Sequence, residues 1–152
     1  ELYPSVAGSD GTMGHVLACE SRVQNDWQQK EADRKTYIDM DGTAVFKFAV
    51  RKMTEMAKSL LAQLHCTEAD IDWFITHQAN ERIIEAIAKR LKSDIVKFPM
   101  NIAECGNTSS ASIPILLDEM SRSGQLKDGQ KIIMAGFGAG LSWGAVYMEW
   151  HA

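Results

Sequence analysis

The segment that decides the fold is residues 71–92, IDWFITHQANERIIEAIAKRLK. Its first five residues are apolar except for Asp72 and include two aromatic side chains, which predicts a buried strand over 71–75. Asn80 then precedes isoleucines spaced three and four residues apart, a pattern typical of an N-cap followed by an amphipathic helix that ends near Lys92. A buried strand that leads through a polar loop into a helix is the basic unit of an α/β sheet.

The residues on both sides of this segment extend the pattern. A wide apolar stripe predicts a long helix over 42–65, which we expect to pack against another half-domain or a second copy of the chain. Further elements follow: strands over 95–98, 131–135 and 141–150, a helix over 112–122, and a glycine-rich turn at 136–140. This order predicts a mostly parallel sheet flanked by helices, with one antiparallel strand at the end. Residues 1–35 form a poorly patterned opening segment, and 36–152 form the domain.

Composition excludes several classes of protein. The chain has 152 residues, 45% of them hydrophobic and 24% charged, which suits one ordinary globular domain. Its formal charge is -4, without long runs of like charge, so we predict no nucleic-acid partner. No apolar run approaches the length of a membrane span, so we expect no membrane partner and a cytoplasmic location. The three cysteines lack metal-ligand spacing, so we predict reduced thiols and no metal. The start at Glu1 suggests excision from something longer.

Three polar features fall at the predicted carboxyl edge of the sheet, where α/β proteins bind ligands. They are His77 after the first strand, Asn107 in the next loop, and the turn at 138–140. Imidazole, carboxamide and turn amides can all donate to carbonyl oxygens that gain negative charge, as in acyl transfer or enolate formation. Each feature also has a structural explanation: a hydrogen-bonded His, a capping Asn, a tight turn. The turn leads into a strand, so a dinucleotide site is excluded.

The sequence around these features resembles a known family. The strings HQAN (77–80), GNTSSAS (106–112), GFGAGLSWG (136–144) and MDGTAVFK (40–47) resemble the C-terminal half of β-ketoacyl-acyl-carrier-protein synthase III. The interval of 30 residues between His77 and Asn107 is also similar. The resemblance covers about residues 10–150. It implies an α/β, thiolase-like half with a mixed five-stranded sheet and helices on both faces.

The resemblance also implies a reaction, the decarboxylative Claisen condensation of an acyl group from acyl-coenzyme A with malonyl-carrier protein in fatty acid biosynthesis. His77 and Asn107 would stabilise the enolate, and the Ala139 backbone N–H would contribute to the oxyanion hole. No cofactor beyond the two substrates is implied. The partners implied are the acyl carrier protein, a coenzyme A thioester, a second copy in a homodimer, and an N-terminal half that bears the nucleophilic cysteine, without which the chain would be inactive.

Two further groups of residues take roles from the resemblance. The acyl or pantetheine channel would be lined by Phe46, Phe137, Gly42 and Asn80. Docking of the acidic carrier protein would use Arg82, Lys89, Arg90 and Lys47, although such a cluster, diluted by nearby glutamates, also suits an ordinary solvated helix face.

The chain departs from the family in its cysteines. Cys105, two residues before Asn107, lies close to the predicted site, but nothing in the sequence activates it as a nucleophile. Two alternatives therefore stay open: a condensing enzyme of secondary metabolism from the same superfamily, and a non-catalytic partner or assembly half-domain.

Overall fold

The structure is a computed structural model that describes residues 3–19 and 37–151. A four-stranded mixed sheet forms its centre. The strands of the described ranges are β1 (Ser5–Ser9), β2 (Leu17–Ala18), β3 (Asp39–Met40), β4 (Trp73–Thr76), β5 (Lys131–Gly138) and β6 (Ser142–Glu149). The α-helices are α1 (Gly42–Gln63), α2 (Glu81–Leu91), α3 (Ile102–Cys105) and α4 (Ser112–Arg122). The main sheet has the order β1-β6-β5-β4, and β2 pairs with β3 separately.

The main sheet is mixed, as the resemblance implied, but the prediction of a mostly parallel sheet was wrong, because one of its three strand pairs in the described ranges is parallel and two are antiparallel. β4 and β5 are parallel, whereas β6 is antiparallel to both of its neighbours, β5 and β1. Because β4 and β5 are parallel, their carboxyl ends lie at one edge of the sheet, where β4 continues into the polar loop 77–80 and β5 into the turn 139–141. In the two described ranges, 3–19 and 37–151, the main sheet has four strands rather than the five implied by the resemblance.

Helices cover both faces of the sheet, as predicted. Successive side chains of a strand point to opposite faces, and the core divides accordingly. Phe74 and Ile133 pack in the larger core with α1 and α2. Ile75 and Ile132 pack in a second core with Leu116 of α4. Each face of the β4–β5 pair is therefore sealed by apolar contacts, and the polar groups concentrate at the strand ends.

The long helix α1 matches its predicted bounds within two residues at its C-terminal end. Asp41 is its N-cap, and its side chain accepts a hydrogen bond from the Ala44 backbone N–H at 2.9 Å. The apolar stripe is buried within this chain, for example at Ala49 and Leu60, both with no exposed surface. α2 and the sheet of the same chain cover much of the stripe, and packing of the helix against another half-domain or copy stays a prediction.

The strand predicted over 95–98 is wrong. A short 3-10 turn, Ile95–Lys97, occupies that position. The Asp94 side chain accepts a hydrogen bond from the Val96 backbone N–H at 3.1 Å, a local bond that competes with strand pairing. Val96 is 69% exposed, whereas Phe98 is buried. The apolar run therefore contributes one ring to the core and no strand to the sheet.

The two ends of the chain meet in the sheet. Ser5–Ser9 lies within the opening segment that the sequence analysis described as poorly patterned, yet it pairs with β6. The hairpin turn is shorter than the predicted 136–140, because β5 runs to Gly138 and β6 begins at Ser142. The strand predicted over 131–135 is thus confirmed and extended. The division at residue 35 stays a prediction, since residues 20–36 lie outside the described ranges.

None of the helices in the described part of the chain is long and apolar enough to cross a membrane.

Candidate active site

A cavity of about 910 Å³ lies where the loops after β4 and β5 meet α1 and the β2–β3 pair. Its wall comes from five separate stretches of chain, so no single motif forms it. All seven residues predicted to have catalytic or channel roles line it: His77, Asn107, Ala139, Phe46, Phe137, Gly42 and Asn80. Residues as far as 97 positions apart in the sequence, Gly42 and Ala139, are thus brought to one cavity by the fold.

His77 is held at the end of β4. Its backbone N–H donates to the Ala135 carbonyl at 2.9 Å, which continues the pairing with β5 beyond the last strand residue. The imidazole packs edge-to-face with the Phe137 ring, with centroids 5.6 Å apart. Burial lowers the pKa of His77 below its ordinary value of 6.5. The ring is therefore neutral at pH 7, and a neutral imidazole carries one N–H donor and one acceptor nitrogen.

One nitrogen of the His77 ring already has a partner in the protein. Nδ1 lies 2.6 Å from the hydroxyl oxygen of Ser112, the first residue of α4. This leaves Nε2 as the nitrogen that can meet a ligand. The contact joins residues 35 positions apart, so no local pattern in the sequence indicates it. Ser112 is a site residue that the sequence analysis missed.

Asn107 follows a turn that needs a glycine. Gly106 has φ 66° and ψ -161°, a conformation that is essentially restricted to glycine. The Asn107 side-chain oxygen accepts a hydrogen bond from the Ser109 backbone N–H at 2.9 Å. That bond closes an Asx turn just before the 3-10 turn Ser109–Ala111, whose N-cap residue is Thr108 rather than Asn107. It also leaves the two N–H donors of the carboxamide available to a ligand.

The turn between β5 and β6 brings Ala139 to the same cavity. Ala139 is exposed and lies between the last residue of β5 and the first of β6. Phe137, two residues earlier, contacts both His77 and Phe48, with centroid distances of 5.6 and 6.5 Å. The aromatic contacts hold the end of β5 against α1. Phe137 therefore contacts the His77 imidazole from the strand that leads directly into the turn at Ala139.

The predicted docking residues lie outside the cavity. Asn80 caps α2 by accepting from the Arg82 backbone N–H at 2.9 Å, so the helix begins at the cavity wall. The exposed basic side chains extend along α2 and onto α1: Arg82, Lys89, Arg90 and Lys47. Seven residues of helix separate Arg82 from Lys89, a rise of about 10 Å. None of these four residues is among those that line the cavity.

The cysteines differ in their surroundings. Burial raises the pKa of the Cys66 thiol. Burial, and then the Glu119 carboxylate 3.6 Å from its sulfur, raises the pKa of Cys105. Neither thiol has the depressed pKa of an activated nucleophile. Cys19 lines the cavity, a position that its weakly patterned segment did not indicate.

Metal-ligating side chains do not cluster in the described ranges. No group of three His, Cys, Asp or Glu side chains there is arranged to hold a metal ion.

Comparison with known proteins places the chain in a family. Residues 61–150 match the family of 3-oxoacyl-[acyl-carrier-protein (ACP)] synthase III C-terminal domains. The chain is 45% identical, over 94% of its length, to 44% of the β-ketoacyl-[acyl-carrier-protein] synthase III of Clostridium novyi.

Solved structures agree. The chain superposes on 3-oxoacyl-(acyl carrier protein) synthase III of Pseudomonas aeruginosa with a TM-score of 0.86 and 36% identity, covering 99% of the chain and 44% of that structure. It superposes on the priming β-ketosynthase of the R1128 polyketide pathway with a TM-score of 0.85 and 35% identity, covering 98% and 45%.

The fold is therefore the mixed α/β, thiolase-like fold of these enzymes. The chain spans a little under half the length of the relatives it matches. The chain belongs to the family of 3-oxoacyl-[acyl-carrier-protein] synthase III C-terminal domains.

Proposed function

We propose that this chain is the half of a β-ketoacyl-acyl-carrier-protein synthase III that binds the malonyl thioester and stabilises its enolate. The observation that supports this function is that His77, Asn107 and Ala139 line one cavity. Imidazole, carboxamide and backbone N–H groups are the donors that oxyanion sites use. The step belongs to fatty acid biosynthesis, and the enzyme is an acyltransferase.

The chemistry follows from the donors. Loss of carbon dioxide breaks the bond between the malonyl carboxylate carbon and the adjacent carbon, and the electron pair moves into the thioester as an enolate. His77 Nε2–H and the Asn107 amide donate to the enolate oxygen as it gains charge. The enolate carbon then attacks the acyl carbonyl of an acyl-cysteine, and that cysteine leaves as a thiolate. The Ala139 N–H stabilises the oxyanion formed at this acyl carbonyl.

The acyl-accepting cysteine comes from another part of the enzyme. Cys66 and Cys105 have raised thiol pKa values, which disfavour the nucleophilic thiolate. The relatives are about twice as long as this chain, so a second half can supply the cysteine. The chain alone is inactive in condensation. No cofactor is needed, since both carbon groups arrive as activated thioesters.

The substrates reach the site along the cavity. Phe46 and Phe137 supply apolar walls for the acyl chain or the pantetheine arm, and Gly42 and Asn80 lie where backbone and side-chain amides contact that arm. Arg82, Lys89, Arg90 and Lys47 form an exposed basic face that attracts the acidic carrier protein. The working enzyme is a homodimer in the cytoplasm.

A condensing enzyme of secondary metabolism is the second candidate. It is favoured by the structural similarity to the priming β-ketosynthase of a polyketide pathway. The TM-score of that superposition, 0.85, is nearly equal to the 0.86 of the superposition on the Pseudomonas aeruginosa synthase III. The two candidates share the chemistry at His77 and Asn107 and differ in the acyl group condensed. In a non-catalytic assembly half-domain, the same cavity would be present but no condensation would take place in it.

The test enzyme is a fusion of the N-terminal part of the Clostridium novyi relative with this chain. The chain replaces the 44% of that relative to which it is similar. Condensation of acyl-coenzyme A with malonyl-carrier protein is followed as formation of the 3-oxoacyl product. We expect His77→Ala and Asn107→Asp each to lower kcat by about 100-fold or more, the usual effect of removing one oxyanion donor. His151→Ala is the matched control, because His151 is exposed and does not line the cavity. Full activity in both site variants would refute the assigned roles.

Docking is tested separately in the same fusion. Arg82→Glu combined with Lys89→Glu should raise KM for malonyl-carrier protein and leave kcat nearly unchanged. Lys58→Glu, an exposed charge reversal on α1, is the control. An equal effect of the control would show that net charge, and not a docking face, is responsible.

A further inference from the structure

The Ser112 hydroxyl is buried between two groups of the loop that follows β4. Ser112 is 2% exposed. Its oxygen lies 2.6 Å from His77 Nδ1, and it accepts a hydrogen bond from the Gln78 backbone N–H at 3.3 Å. One hydroxyl on α4 thus meets two consecutive residues of a loop that lies 35 positions earlier in the chain.

Accounting for the protons gives the direction of the short bond. A hydroxyl has one proton to donate and two lone pairs. The Gln78 backbone N–H can only donate, so it occupies a lone pair of Ser112. The Ser112 proton then needs an acceptor, because an unpaired buried O–H is costly. Among the described residues, His77 Nδ1 is the acceptor within hydrogen-bond distance of this hydroxyl.

We propose that Ser112 is a positioning residue that holds His77 in the tautomer with its proton on Nε2 and fixes the plane of the ring. This inference rests on the proposed function, since it explains how Nε2 becomes a donor to the enolate oxygen. If Ser112 donates to Nδ1, the single proton of the neutral ring resides on Nε2. With the opposite tautomer, Nε2 would be an acceptor and would repel the developing oxyanion.

The surroundings of the pair support a fixed arrangement. Gln78 is completely buried, and its side-chain amide donates to the Thr76 carbonyl at 2.8 Å. The loop backbone that presents the Gln78 N–H to Ser112 is therefore anchored on both sides of His77. The Phe137 ring packs against the imidazole in a T-shaped arrangement, with an interplanar angle of 68°. Burial also lowers the pKa of His77, so the ring stays neutral, and only a neutral ring has a choice of tautomer.

The experiment reads the tautomer directly, without substrate. The chain is labelled with ¹⁵N-histidine, and two-dimensional ¹H–¹⁵N spectra at pH 7.5 identify which ring nitrogen carries the proton. His77→Gln assigns the His77 signals among the four histidines. We compare the unsubstituted chain with Ser112→Ala, with Ser112→Thr, which keeps the hydroxyl, and with Ser121→Ala, a matched control at an exposed serine of the same helix.

We expect the unsubstituted chain to show His77 protonated on Nε2, with unprotonated Nδ1. Ser112→Ala should lower the ratio of the Nε2–H to the Nδ1–H form by about fivefold or more, the bias that one net hydrogen bond supplies. Ser112→Thr should restore the ratio, and Ser121→Ala should leave it unchanged.

Two results would overturn the proposal. One is a proton on Nδ1 in the unsubstituted chain, which remains decisive even if Ser112→Ala fails to fold. The other is an unchanged tautomer ratio in folded Ser112→Ala. Because no reaction is measured, the tautomer result stands whether or not the fusion enzyme condenses its substrates, so failure of this proposal and failure of the proposed function are distinguishable.

Discussion

The contact between Gly8 and Trp143 makes a sharp prediction for the substitution Gly8→Ala. Gly8 lies opposite Trp143 in the pairing of β1 with β6. A Cβ added at Gly8 would lie 2.7 Å from Cζ2 and 2.8 Å from Cε2 of the indole, closer than real Cβ atoms approach other atoms. The indole must therefore move by about 0.7 Å to reach an ordinary contact distance.

The indole has little room to move. Phe48 packs against it with ring centroids 5.6 Å apart, and the Lys52 ammonium lies 4.6 Å from the ring centroid. Overpacking of this kind costs about 1–3 kcal/mol. Replacing glycine by alanine returns about 0.4–1 kcal/mol by restricting the unfolded chain. We expect a net loss of about 1–2 kcal/mol, which for a domain of this size lowers Tm by about 3–7 °C.

The assay is thermal and urea unfolding followed by circular dichroism. Gly11→Ala is the matched control, because a Cβ there would meet no atom within 4 Å, so it should be neutral or slightly stabilising. Placing Gly8→Ala in a Trp143→Leu background should remove most of its cost if the indole is the cause. A Gly8→Ala chain as stable as the Gly11→Ala chain would refute the reasoning.

Three further predictions follow from other contacts. Burial lowers the pKa of His77 below 6.5, so just below that pH the unfolded chain binds more protons than the folded one, and the free energy of unfolding should fall as the pH drops. His77→Gln should flatten that dependence in urea unfolding between about pH 5 and 7, and an unchanged slope would contradict it. Glu119→Gln should lower the pKa of Cys105, which burial and then this carboxylate raise, and should speed its alkylation by iodoacetamide, measured on the Cys105 peptide by mass spectrometry; an unchanged rate would count against the contact. Phe98→Ala should cost about 3–5 kcal/mol, because this buried ring stacks on Phe74 at 4.8 Å, whereas Phe98→Leu should cost less than half as much in the same unfolding assay.

The helices were predictable because their signals are local. The apolar period of α2 and its Asn80 cap lie within twelve consecutive residues, and the predicted helix over 112–122 has the observed bounds. Helical hydrogen bonds join residues four positions apart, so the sequence of one segment contains most of the information. The catalytic and channel roles came from the resemblance, which rests on short strings that can be recognised without the tertiary structure.

Strand pairing was less predictable. Ser5–Ser9 is short and contains glycine, and it becomes a strand because β6 offers it a register of hydrogen bonds. The apolar run at 95–98 forms a 3-10 turn because Asp94 closes that turn locally, and no strand of the described ranges pairs with the run. In the first case the deciding partner lies more than 130 residues away.

The sequence by itself determined the three main helices, the β4 and β5–β6 segments, and the strings that carry His77, Asn107 and Ala139. Only the tertiary structure decided that these strings face one cavity, that Cys19 joins its wall, and that Ser112 meets His77. The physical reason is the sequence distance over which each interaction acts. Helix periodicity and helix caps depend on neighbours within one or two helical turns. A cavity wall and a hydroxyl-to-imidazole hydrogen bond depend on which distant segments pack together.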